Sequence, residues 1–193
     1  MDAVSVIVLI ALALVALLAA GLILGARRKR ASESLKERFG PEYDRAVDEH
    51  GGQRAAEKRL GDVADRRDKL DIRALQPAER ERYTQQWTGV QAAFVDDPRA
   101  ATRDADRVVG AVMRERGYPV DDFETKADMM AAGHPEVTEH YRAAHAVGTR
   151  GDTASTEELR QAFVHYRALF DELLTDRDVD IRPGERAERT PPA

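Results

Sequence analysis

The first change of pattern along the chain is the sharpest. From Ala3 to Ala26 there are 24 residues without a charge. At 1.5 Å per residue that block reaches about 36 Å, against a hydrocarbon core of roughly 30 Å. Residues 1–26 are therefore predicted to be a transmembrane anchor, crossing the bilayer once through residues 3–26. Arg27-Arg28-Lys29-Arg30 follow at once, so residues 27–33 read as a basic juxtamembrane segment.

Beyond it the apolar positions thin out and take a helical period. Residues Ser32 to Phe39 form a short helical stretch that Gly40-Pro41 ends, and Pro41 suits the first turn of a helix reaching about His50, which Gly51-Gly52 break. From Gln53 to Leu70, Ala56, Leu60, Val63 and Leu70 mark a helix lying on the domain or projecting from it, with Arg67 in one apolar place. After Pro77, Tyr83, Trp87, Val90 and Phe94 fall within about 40° of one another, a stripe that should be buried. Asp97-Pro98 opens a helix with Ala101, Ala105, Val108 and Val112 on one face, stopping at Gly117. Asp121 with Glu124 suggests a capping box for a helix carrying Phe123, Ala127 and Met130. His134-Pro135 starts the next helix, with Val137, Tyr141 and Ala144 inward. A Gly-rich loop from Gly148 to Asp152 leads to the Ser155/Glu158 capping box and a last stripe of Leu159, Phe163, Tyr166, Phe170 and Leu173. No strand pattern competes. The expected fold class is all-α: one N-terminal transmembrane helix followed by a soluble helical bundle-like domain over 34–174, its neighbours mostly antiparallel, and a disordered tail over 175–193.

Composition narrows the picture. A 34% charged and 6% aromatic chain implies a thin core and helices solvated on several sides. Cysteine and asparagine are absent, which removes disulfides, thiolate metal sites and N-linked glycans. Arginine outnumbers lysine 25 to 5, a bias that a GC-rich coding sequence explains together with the missing asparagine. The net charge of −5 speaks against coating a polyanion, so no nucleic-acid partner is expected. The one cationic cluster stands beside the apolar block, after it rather than before. That order is a stop-transfer signal rather than a cleaved leader, and it leaves the N-terminus outside and the C-terminal domain cytoplasmic; an exported soluble domain is the alternative. Inside the span, Gly21 and Gly25 form a G-x-x-x-G, the spacing through which membrane helices dimerise, against the plainer reading of packing on lipid alone.

Candidate chemistry is sparse. The phosphate-binding loop, dinucleotide, zinc-protease and nucleophile-elbow motifs are missing, and outside the span only Ser32, Ser34 and Ser155 could be serine nucleophiles. His134, His140, His145 and His165 all belong to the last two ordered helices. His140 and His145 are about 140° apart around a helix and cannot chelate one ion from the same face, so no metal and no cofactor is expected; His134 reads as a helix-start residue. Arg160 and His165 are similar to the R-x4-6-H motif of HEPN-type helical ribonucleases, but on a straight helix they too stand about 140° apart. The acidic pairs Asp96-Asp97, Asp121-Asp122 and Glu157-Glu158 sit at predicted helix starts, where caps and dipoles favour negative charge.

Four segments, Glu37 to Asp44, Arg116 to Phe123, His134-Pro135 with His140 to His145, and Ser155 to Arg160, resemble an uncharacterised family of bacterial single-span membrane or "secreted" proteins. The resemblance spans roughly Ser34 to Leu174. It implies a bacterial envelope context and an all-helical soluble domain, with no assigned activity and no site residue to carry over. The expectation for function is a membrane-anchored helical protein–protein interaction module for an unknown protein partner, tethered to the lipid bilayer through residues 3–26. The alternative is a membrane-anchored helical nuclease or other hydrolase centred on the last two helices, which requires Arg160, His145 and His165 to converge.

Overall fold

In the computed structural model, residues 3–150 and 153–175 are described, with residues 3–11 and 13 described by backbone alone. The Met1-Asp2 flank, Gly151-Asp152 of the Gly-rich loop and the expected tail beyond Thr175 lie outside the described residues. Among the described residues the chain is all-α: eight helices and no strand. They are α1 (Ala3–Phe39), α2 (Pro41–Glu49), α3 (Gln53–Asp68), α4 (Pro77–Ala93), α5 (Pro98–Arg116), α6 (Phe123–Gly133), α7 (Pro135–Gly148) and α8 (Thr156–Leu174).

The chain divides into two compact units, Met1–Glu37 and Arg38–Ala193. In the first, the stretch from Ser32 is not a separate helix. It continues α1, because neither glycine nor proline interrupts residues 27–39. Arg27, Arg28, Lys29 and Arg30 are all exposed, and Lys29 stands 3.9 Å from Glu33 one turn on. Among the described residues no helix is long and apolar enough to cross a membrane; the described side chains of α1 start at Leu12 and run on from Leu14.

The second unit is built around α5 and α8. Helix α7 packs on α8, α5 on α8, α4 on α5, α6 on α7, and α2 and α3 close the far side against α7 and α6. Side-chain pairings give the directions. His134 meets Glu172 and His140 meets His165, so α7 and α8 run antiparallel. Arg99 reaches the Ala154 carbonyl and Arg116 the Leu173 carbonyl, so α5 and α8 run parallel. Arg82 and Tyr83 meet Glu115, so α4 and α5 are antiparallel like α7 and α8, whereas α5 and α8 are brought together across two intervening helices.

Trp87 is the centre of the α4–α5–α8 layer, 4% exposed and stacked between Phe163 at 5.2 Å and Phe170 at 4.7 Å. The α5 and α8 stripes are buried throughout, and α3 lies on the domain, with Ala56, Leu60, Val63 and Ala64 enclosed. The α4 stripe is buried only in its first half: Val90 and Phe94 are half-exposed. Beyond Trp87 the facing residues are Gly89, Ala93, Val108 and Ala111, too small to fill the space, and an open groove of about 410 Å³ separates the two helices there.

Caps follow local chemistry closely. The Asp97 carboxylate accepts from the Arg99 and Ala100 amides, and Ser155 and Glu158 form the expected box. The cap of α6 is Asp122 rather than Asp121, accepting from the Thr125 amide at 2.8 Å. Helix α5 stops at Gly117, whose φ of 97° belongs to the left-handed region, and a Cβ there would come 2.7 Å from the Asp71 carbonyl. Only glycine meets both conditions.

Candidate functional site

The feature that periodicity did not reveal is a set of polar side chains inside the second unit. Gly117 turns the chain so that Tyr118, 3% exposed, points inward. Pro135 disfavours helical backbone at the preceding residue, so His134 leaves the helical region (φ −138°, ψ 63°) and separates α6 from α7. Its amide donates to the Met130 carbonyl and its carbonyl accepts from the Thr138 hydroxyl at 2.9 Å. It is thus more than a helix-start residue: its side chain makes no cap bond and is buried, 1% exposed.

The ring of His134 lies between a carboxylate and a phenol. Nδ1 is 3.1 Å from Glu172 Oε1, and Nε2 is 3.3 Å from the Tyr118 hydroxyl. An ionised Glu172 can only accept, so Nδ1 carries the proton and Nε2 accepts from Tyr118. The carboxylate–imidazole–hydroxyl order is that of a general-base relay, but Glu172 is 8% exposed and the hydroxyl it could activate is enclosed. The groove between α4 and α5, and a second one on α3 around Lys58, Arg59 and Arg66, are lined by other residues. The rim of the cluster is more open. Glu136 is exposed, and one ligand atom from each of His134, Glu136 and Glu172 lies within 4.8 Å of the others.

Beside this cluster Arg116 is wholly buried. Its Nε donates to the Arg73 carbonyl at 3.1 Å and its Nη1 to the carbonyls of Leu173, at 2.9 Å, and Thr175, at 3.4 Å. A guanidinium at the C-terminus of α8 satisfies carbonyls that the helix cannot and complements its negative end.

The residues singled out for chemistry have separate neighbours. His165 stacks on His140 at 4.8 Å between centroids, and burial together with the nearby His140 holds its pKa below the usual histidine range. His145 stacks on Phe123, and burial lowers its pKa too. Arg160 is exposed and bridges both oxygens of Glu157, holding that carboxyl down to about 2. Among the described residues no hydrogen bond or ring contact joins Arg160 to either histidine. Of the acidic pairs, Asp97, Asp122 and Glu158 cap helices as their positions suggest.

A further polar network holds α2, α6 and α7 together. Arg142 Nε donates to both oxygens of Glu42, a carboxylate 6% exposed, and its Nη1 reaches Glu124 at 3.0 Å. Asp128, paired with Arg59 at 2.7 Å, is pushed above the usual carboxylate range by burial, which Arg59 and Arg142 partly oppose. Sequence reasoning missed Glu42, Arg116, Tyr118, His134 and Glu172, since charged and polar residues carry no periodic signal. Two local signs were present: a histidine fixed before proline, and a last turn of α8 with an acidic residue and no basic one. The chain matches no protein-family model, no curated protein and no solved structure.

Proposed function

We propose that the chain is a membrane-anchored helical protein–protein interaction module, with residues 3–26 as its single span and the Arg38–Thr175 unit as the part that meets a partner. The observation that carries this reading is the surface of α1. Leu12, Leu14, Val15, Leu17, Leu18, Leu22, Ile23 and Leu24 are each more than half exposed, and at 100° per residue they point to every side of the helix. A helix that is apolar all round requires an apolar surrounding on every side, and lipid supplies it. The exposed Arg27-Arg28-Lys29-Arg30 run favours retention on the cytoplasmic face.

Two surfaces support the interaction part. The positions where Cβ atoms on Gly21 and Gly25 would stand are open, so a second α1 can approach them closely in a homodimer. The α4–α5 groove, with Asp104 and Arg107 at its rim, offers a partner both apolar and charged contacts.

The experiment has two arms on the full chain in bacterial membranes. After alkaline carbonate washing the protein stays in the membrane pellet, and an alkaline phosphatase fused to its C-terminus is inactive; release into the wash refutes the anchor, and phosphatase activity refutes the orientation. A photo-crosslinker at Gln86 gives one discrete protein adduct that Val90→Arg abolishes. Absence of any adduct overturns the module reading.

A further inference from the structure

His134 and Glu172 come from different helices, are both buried, and hold their facing atoms 3.1 Å apart. Glu136, two residues beyond His134, brings an exposed carboxylate to the same place, so that one donor atom from each of the three lies within 4.8 Å of the others. We propose that His134, Glu136 and Glu172 bind one divalent cation of the zinc class.

The donor set selects the ion. One imidazole and two carboxylates suit zinc and its first-row neighbours, whereas magnesium and calcium prefer oxygen ligands alone. Bonds of about 2.0–2.2 Å at tetrahedral angles put neighbouring ligand atoms roughly 3.3 Å apart, close to the separation that His134 and Glu172 already have. Two of three ligands are thereby preset, and the exposed Glu136 closes on the ion by rotating its side chain. Its exposure also leaves a solvent side for entry and for a water as fourth ligand. With the ion on Nδ1 the imidazole carries its one proton on Nε2, and that N–H donates a hydrogen bond to the Tyr118 oxygen, whose own hydrogen turns away; a ligating histidine is ordinarily oriented by such a partner.

Glu172 stands in the last turn of α8, which has no basic residue of its own, and the Arg116 guanidinium beside it is engaged by the Leu173 and Thr175 carbonyls. Glu136 offsets the positive end of α7. Arg67 lies against Gly133, and the exposed Glu136 marks the side open to approach.

The test uses the full chain in detergent micelles, stripped with a chelator and titrated with zinc in competition with a chromophoric zinc indicator. The expected result is one zinc per chain, with affinity at least about tenfold weaker in Glu136→Ala and about tenfold weaker in Tyr118→Phe. Glu136 is exposed, so its variant keeps the fold, which circular dichroism checks. The double variant His140→Ala with His165→Ala controls for the stacked surface histidines and should bind as the parent does. Lack of stoichiometric binding, undiminished binding in Glu136→Ala, or loss of binding in the double-histidine variant overturns the proposal.

Discussion

Trp87 offers the strongest single test of the core. Its indole is enclosed between Phe163 and Phe170, and its Nε1 has no hydrogen-bond partner among the described residues. Truncation to alanine removes the largest side chain of the layer, and such changes cost about 3–5 kcal/mol through lost transfer energy and the cavity left behind. Each stacked pair adds about 0.5–1.5 kcal/mol beyond area burial. Against this, an enclosed unpaired N–H costs about 1–3 kcal/mol, which either substitution relieves. The net expectation is about 4 kcal/mol for Trp87→Ala, a large share of the ~5–15 kcal/mol that holds a typical domain together. Trp87→Phe keeps an aromatic ring between the two phenylalanines and loses the unpaired donor, so it should cost about 1 kcal/mol or less. Urea unfolding of the full chain in micelles, followed by far-ultraviolet circular dichroism, measures both variants without the tryptophan signal they lack. If Trp87→Phe is as damaging as Trp87→Ala, the stacking argument fails, and if Trp87→Ala costs under about 1 kcal/mol, the core is elsewhere.

Removing the buried Arg116 as Arg116→Ala strands the carbonyls of Arg73 and Leu173 and should cost about 3 kcal/mol or more; Arg116→Lys, lacking the planar fork, should recover only part of it in the same unfolding assay. A chain ending at Thr175 should melt above one ending at Leu174, because Thr175 donates through both its amide and its hydroxyl to the Glu172 carbonyl. His165 is held below its ordinary pKa by burial and by His140, so the unfolded chain binds its proton first. Stability should then be intact above the unfolded value of about 6.5 and fall as the pH drops through it toward the lower folded value. His165→Gln should flatten that acid slope, and an unchanged slope in denaturation midpoints across pH would refute the assignment.

Helix positions and ends were legible along the chain because each is decided by a few neighbouring residues. Gly40-Pro41, Asp97-Pro98, Gly117 and the Ser155/Glu158 box start or stop helices through their own backbone preferences, wherever the helix later packs. The α5 and α8 stripes were legible for a related reason: a continuous apolar face must be covered by something. What covers it is another matter. That α5 lies parallel to α8, that Trp87 fits between Phe163 and Phe170 while Val90 opens onto a groove, and that α3 lies flat depend on the volumes of side chains far apart in the chain. The polar interior is further still from local rules. Arg116, His134 and Glu172 look like surface residues by type, and each is buried because a partner 38 to 57 positions away satisfies it. Such a pairing has no period and no adjacency, so only the tertiary structure could decide it.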